Sequence, residues 1–214
     1  KAKTFTFFIP VPGLKTDHSQ VDWDNLYSKD EIVTLDEKGL RKALEDLPCC
    51  VTGKDGTENG DPLNIVVIGD LDDIYYAFLR ADCAETETIY RASAIKTGIS
   101  FVFGGRYRYS PVSSLYVYGR PQDIALQKAR ETIHERHHLR LYMTPMIFEG
   151  KSVFIGQISR DIGVRFTSKT IVTHKIDPDV DETRTYLIQD LAYSQGLKKF
   201  AYVKGVGAAP LSEP

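Results

Sequence analysis

The sequence predicts an α+β protein with a mixed, largely antiparallel sheet flanked by helices, in a single domain with an extended N-terminal segment. Strand-like runs gather toward the C-terminus, in HLRLYMTPMIF, SVFIGQISRD and VRFTSKTIVTHKI, as a meander would require. Helical patterns flank these runs and do not alternate regularly with them. The 214 residues, 42% hydrophobic and 26% charged, suffice for one sizeable core and exclude collagen-like and disordered classes.

Taken in order, TFTFFI at 4–9 is rich in β-branched and aromatic residues and is stopped by PVPG, which predicts a strand and a turn. Residues 15–34 are polar, with one Trp, Trp23, and read as an extended arm. In LDEKGLRKALEDL, Leu40, Ala43, Leu44 and Leu47 fall at helical spacing behind Asp36 as a cap. GKDGTENGDP at 53–62 concentrates turn formers and is the best linker. The expected organisation is therefore an N-terminal strand, arm and short helix over 1–60, a core domain over 61–208 and a tail over 209–214.

LNIVVIG at 63–69 is a continuous apolar run, expected to be central in the sheet. DLDDIYYAFLRADCA follows as a helix with Ile74, Ala77, Phe78 and Ala81 on one face. This strand, turn and helix are not a dinucleotide site, because GDLDDI lacks the phosphate-admitting glycines and adds repelling carboxylates. A helix is expected over 86–101, a Gly/Arg/Tyr loop at FGGRYRYSP, a strand at SSLYVYG and another helix beginning at RPQDIALQKARETI with Pro121 in its first turn. DETRTYLIQDLAYSQGLKK predicts a closing helix and FAYVKG a last strand.

A formal net charge of −2, from 27 basic and 29 acidic residues, argues against a nucleic-acid-tracking surface. No apolar stretch approaches the roughly 20 residues needed to cross a bilayer. The chain opens at Lys1 without Met, as a processed or truncated chain would, and localisation stays open between cell envelope and cytoplasm. Cys49, Cys50 and Cys83 write neither a disulfide framework nor a zinc ribbon, and the adjacent pair is expected to be two small buried thiols and not a vicinal disulfide.

His134-Glu135-Arg136-His137-His138 matches the H-E-x-x-H pattern of zinc hydrolases. That chemistry needs His134 and His138 one helical turn apart, with Glu135 as base and a third ligand. The surrounding LRLYM instead predicts that a helix ends near His137 and a strand begins, so zinc through His134 and His138 is disfavoured and the cofactor is unknown. On a strand, His138, Arg140 and Tyr142 share one face, expected to be solvated, while Leu139 and Leu141 enter the core.

A second cluster lies downstream. Arg160 is suited to a bidentate grip on phosphate or carboxylate, with Asp161 beside it as a base or ion-pair partner. THKIDPDVDETR then places His174, Asp177, Asp179 and Asp181 within a short span, a density of acid/base groups that points to general acid–base chemistry. Asp179 and Glu182 also have capping-box spacing, and an EF-hand is excluded because Glu182 and Ile188 stand where Gly and Glu are needed. No G-x-S-x-G is present to support a serine hydrolase.

The segments GDPLNIVVIGD, SPVSSLYVYGRPQDIALQKARETIHERHHLRLYMTP, GQISRDIGVRF and THKIDPDVDETRTYLIQDL together resemble the LssY C-terminal domain family over about residues 44–208. The family's characteristic positions match as Arg120, Pro121, Gln122, Asp123, His138, Leu139, Arg140, Arg160, Asp161, His174, Asp177, Asp179 and Asp181, with Tyr142 where Trp is common. The resemblance implies a bacterial envelope context, since similar domains occur fused to membrane domains, and supplies no catalytic mechanism.

The expected function is a hydrolase of a polar or anionic ester or glycoside. His174, Asp161, Asp177 and Asp179 are the catalytic candidates, and His138, Arg140, Arg160 and Arg120 hold substrate. The partner is a small-molecule, carbohydrate or phosphorylated substrate, with membrane-surface or membrane-protein association compatible and nucleic acid excluded. The alternative is a non-catalytic envelope module that binds phosphorylated lipid or a partner protein through Arg106, Tyr107 and Arg108. The third reading is the zinc metallohydrolase on HERHH.

Overall fold

Two long strands, β9 (Arg136–Phe148) and β10 (Lys151–Arg165), form the centre of the molecule in a computed structural model that describes residues 9, 12–88, 112–129, 136–165 and 173–204. They are joined by Glu149 and Gly150, both at positive φ (49° and 72°), the twist that a two-residue hairpin turn requires. The outer edge of β9 is shared by β8 (Ile124–Ala129) and, in parallel, by β1 (Val33–Leu35). The outer edge of β10 is shared by β4 (Ile65–Gly69) and β11 (Thr173–Ile176), and β5 (Ala84–Glu85) extends the sheet beyond β8. A smaller sheet runs β3 (Asn59–Pro62), β2 (Cys50–Thr52), β6 (Tyr116–Val117), β7 (Arg120–Pro121). With three α-helices among the described residues and mostly antiparallel pairing, this is the expected α+β architecture.

One face of the large sheet carries the larger apolar core and turns polar toward its far end at His137, Arg160 and Lys128. Leu139, Leu141, Phe154, Ile158, Ile124 and Leu126 meet Ile74, Ala77 and Phe78 of α2 (Leu71–Arg80) and Leu187 and Leu191 of α3 (Val180–Tyr193). The second face is apolar only at its hairpin end. There Tyr142, Met146, Val153 and Ile155 pack on Val51, Val117 and on Leu40 and Leu44 of α1 (Glu37–Glu45). The Asp36 side chain caps α1 by accepting from Gly39 N–H at 2.7 Å. Trp23 packs against the first core and Tyr27 donates to the Met143 carbonyl at 2.8 Å, so the polar N-terminal arm is tied to the sheet.

Several expectations are corrected. The stretch at 120–129 forms β7 and β8 instead of a helix, because Ile124 and Leu126 face the apolar core and Ala125 and Gln127 the opposite side, a period of two. The 53–62 linker is the turn and second strand of the β2–β3 hairpin, inside the folded unit, with Asp61 buried. Among the described residues β4 pairs with β10 alone and Ile68 is exposed, so β4 is not central there. β9 begins at Arg136, before His137, and β10 runs through Val164 and Arg165, which the sequence assigned to the next strand. Residues 201–204 have no regular structure where a last strand was expected. Cys49 and Cys50 are bonded as a vicinal disulfide, not two thiols, while Cys83 is a buried free thiol. Residues 4–8, 89–101 and the FGGRYRYSP loop lie outside the described residues.

Candidate functional site

The second face of the sheet turns polar beyond the hairpin end. Along β9 the alternate residues Arg136, His138 and Arg140 point to it, opposite Gln157, Ser159 and Asp161 of β10 and beside Gln127 of β8. All seven side chains are buried, so the solvated face expected for His138 and Arg140 is a sealed one. Burying ionic groups gives little net stability, because desolvation offsets the attraction, and apolar residues of similar volume would serve as well. The cluster therefore marks function or specificity more than stability.

Hydrogen bonds organise the cluster. His138 Nε2 lies 2.7 Å from Asp161 Oδ2. Arg140 donates to Gln157 Oε1 at 2.9 Å and to the Ser113 carbonyl at 3.1 Å. Gln157 Nε2 in turn donates to Asp61 Oδ2 of β3 and to Ser159 Oγ, both at 2.7 Å, and Arg136 donates to Gln127 Oε1 at 2.7 Å. One carboxyl group, Asp161, thus meets one histidine and two arginines on the β9–β10 pair, and a second, Asp61 of β3, joins them through Gln157.

Burial is the largest influence on the protonation of these groups. It drives His138 down to about 4 against the pull of Asp161, with Arg136 and Arg140 acting in the same direction as burial. The imidazole is therefore neutral at neutral pH and donates its Nε2 hydrogen to the carboxylate. Burial also raises the Asp61 carboxyl above its ordinary range, opposed by Arg140. A neutral imidazole oriented by a carboxylate, next to a second carboxyl pushed toward its acid form, is an arrangement suited to proton transfer.

The remaining sequence candidates lie elsewhere. On the far side of β10, Arg160 ion-pairs with Asp177 and, at 2.8 Å, with Glu182 at the start of α3, and its guanidinium holds Asp177 below the usual carboxylate range. Asp179 is the N-cap of α3, accepting from Glu182 N–H at 2.9 Å. His174 lies in β11 opposite Val164, and its side chain is outside the described set. Arg120 ion-pairs with buried Asp123 and donates to the Met143 carbonyl at 2.7 Å, while Asp123 Oδ2 accepts from Met143 N–H at 2.7 Å. This clamp occupies the gap where β9 leaves β8 and has not yet met β1.

His138, Arg140 and Asp161 are thus brought together, while Arg160, Asp177 and Asp179 are joined at α3 and Arg120 at the clamp. Sequence reasoning missed Asp61, Gln157, Ser159 and Arg136. The polar alternation Gln157, Ser159, Asp161 in β10 was a usable signal for two of them; Asp61 had none. His134 and Glu135 lie outside the described residues, and His138 stands on a strand with Nε2 at Asp161, not on the helix that the zinc pattern needs. Among the described residues no three side chains of His, Cys, Asp or Glu are grouped to hold a metal, and no helix is long and apolar enough to cross a membrane.

Fold and site together define an α+β domain built on one long hairpin, with an ionic network sealed against half of one sheet face. The family described as LssY C-terminus matches residues 41–212, the larger part of the chain, and the chain belongs to that family. No curated protein and no solved structure matches it significantly.

Proposed function

We infer that this chain is a hydrolase of a polar or anionic ester or glycoside, with the His138–Asp161 pair as its acid–base centre. Asp61 is the second carboxyl group, and Arg140 and Arg136 hold the anionic part of the substrate. The observation that carries this reading is the 2.7 Å contact of a neutral, buried histidine with Asp161 beside two buried arginines. In the reaction the imidazole takes a proton from water as it attacks, Asp161 stabilises the imidazolium that forms, and the imidazolium returns that proton to the leaving oxygen. Water adds across the scissile bond, so the proton count closes.

The test is hydrolysis of chromogenic phosphoesters, carboxylic esters and aryl glycosides by the 214-residue chain and its variants. His138→Gln and Asp161→Asn are expected to lower kcat by about 10²–10⁴-fold with the circular dichroism of the fold retained. His174→Ala is compared in parallel. Unchanged turnover in both His138→Gln and Asp161→Asn overturns the assignment of this centre.

A second reading is favoured by the near-complete burial of the same groups: the network gives the sheet a unique register, and the chain is a non-catalytic binding module. It is supported if no substrate class is turned over and the two variants lose thermal stability alone.

A further inference from the structure

The last part of the described chain segregates charge and aromatic surface away from the rest of the molecule. From Leu191 to Lys204 the sequence LAYSQGLKKFAYVK contains three lysines and no acidic residue, in a chain whose net charge is −2. Its root is fixed. Gly196 N–H donates to the Leu191 carbonyl at 2.8 Å, the Gly196 backbone lies so close to Ala77 of α2 that a Cβ would stand 2.9 Å from it, and Leu197 packs on the core.

Beyond that root residues 198–204 have no regular structure and turn their side chains outward. Phe200 is 62% exposed, Tyr202 65% and Val203 40%, and Lys198, Lys199 and Lys204 are exposed around them. Phe200 and Tyr202 meet edge to face with centroids 6.2 Å apart, and Arg184 of α3, ion-paired with Asp181 at 3.0 Å, lies 5.5 Å over the Tyr202 ring and anchors the segment at its base. Exposed apolar residues scattered singly are ordinary, but here three lie within four positions and are bracketed by lysines.

We propose that the segment Lys198–Lys204 is a docking element for an anionic phospholipid surface. Aromatic rings with an apolar body and a polar edge settle at the headgroup level, where Phe200, Tyr202 and Val203 would be desolvated. Lysines keep their ammonium groups at the phosphate plane while their stems cover apolar area. The absence of carboxylates between Leu191 and Lys204 removes the repulsion that such a surface would otherwise exert. The charge complementarity favours this occupant over a second copy of the chain, whose identical segment would repel it. The inference is independent of whether the buried His138–Asp161 centre is catalytic.

The experiment is co-sedimentation of the 214-residue chain with vesicles of phosphatidylcholine containing about one third phosphatidylglycerol, and with phosphatidylcholine alone, near 0.1 M salt, where the Debye length is about 10 Å. Binding is expected to the anionic vesicles only and to disappear near 1 M salt. Changing Lys198, Lys199 and Lys204 together to Gln is expected to reduce partitioning by about a hundredfold, from roughly 1 kcal/mol per lysine. Phe200→Ser with Tyr202→Ser is expected to reduce it severalfold. Tyr118→Asn, at an exposed aromatic on the β6–β7 turn, is expected to leave it unchanged.

No sedimentation with anionic vesicles overturns the proposal. Binding that the lysine and aromatic variants share with the parent chain does so too. So does concentration-dependent self-association that the aromatic variant abolishes, which would make a second copy the occupant. All variants lie on exposed residues, and unchanged circular dichroism separates loss of docking from loss of fold.

Discussion

His138 Nε2 and Asp161 Oδ2 stand 2.7 Å apart across the β9–β10 pair, with side-chain exposures of 8% and 3%. The pair is a hydrogen bond from neutral imidazole to carboxylate and not an ion pair, because burial and the two flanking arginines outweigh the attraction of Asp161 for a proton. A histidine whose folded pKa is about 4, against 6.5 when unfolded, binds fewer protons in the native state between those values. The stability it confers is complete above pH 6.5 and is lost as pH falls toward 4, on the order of 3 kcal/mol. The raised carboxyl of Asp61 acts in the opposite sense over part of that range. The difference in urea stability between pH 7 and pH 4.5 is therefore expected to shrink in His138→Gln relative to the parent chain. Parallel curves for the two proteins would show that His138 is not held neutral.

The Arg120–Asp123 clamp makes an asymmetric expectation. Arg120 is 29% exposed and can hydrate if its partner is lost, whereas Asp123 is 3% exposed and cannot. Arg120→Met is therefore expected to cost about 3 kcal/mol, since it strands a buried carboxylate, and Asp123→Asn about 1 kcal/mol, since the amide oxygen can still accept from Met143 N–H. Tyr27→Phe, which removes one bond to the Met143 carbonyl, is expected to cost about 1 kcal/mol. Denaturant midpoints order the three. Equal losses in Arg120→Met and Asp123→Asn would contradict the burial argument.

The central hairpin was legible because β9 states its period openly: Leu139 and Leu141 alternate with His138, Arg140 and Tyr142, and the Glu149-Gly150 turn follows at once. The same alternation made His138 and Arg140 visible as neighbours, whereas Asp161 was read with Arg160 in a separate downstream cluster and joins them only through the β9–β10 pairing. β8 was not legible, because Ala, Gln, Lys, Arg and Glu around it favour a helix locally, and only its pairing with β9 and β5 overrides that preference. Asp61 could not be found from sequence. Its partner Gln157 is 96 residues away, and the turn formers before it read as a linker. Asp177 and Asp179 illustrate the converse, since dense carboxylates near a histidine resemble a site, whereas here one pairs with Arg160 and the other caps α3.

Asp179 offers a direct separation of those two roles. Its side chain satisfies the Glu182 N–H at 2.9 Å, one of the donors that a helix start leaves open. Asp179→Ala is expected to cost about 1 kcal/mol, and Asp179→Ser to restore most of it, because a serine hydroxyl accepts the same bond. Hydrolytic turnover, where measured, is expected to be unchanged in both. A loss of turnover in the serine variant with stability intact would return Asp179 to the acid–base set.

Gly156 couples packing to the site. It sits opposite Leu141 in the β9–β10 ladder and opposite Ile65 on the β4 side, with strands on both edges. A Cβ there would lie 2.7 Å from the Arg140 carbonyl oxygen and from Leu141 Cδ2, and 2.9 Å from Ile65 Cγ1. The Leu141 methyl and Ile65 methylene groups can give way at the cost of repacking, but the carbonyl belongs to the ladder and moves only with β9. Gly156→Ala is therefore expected to destabilise the fold by about 2 kcal/mol. The displaced backbone is the one that carries His138 and Arg140, so the variant should also lower turnover more than a remote change of equal stability cost, such as Tyr27→Phe combined with Asp179→Ala. Denaturation and turnover measured on both proteins decide it: equal turnover at equal stability would mean that β9 absorbs the methyl group without shifting its polar face.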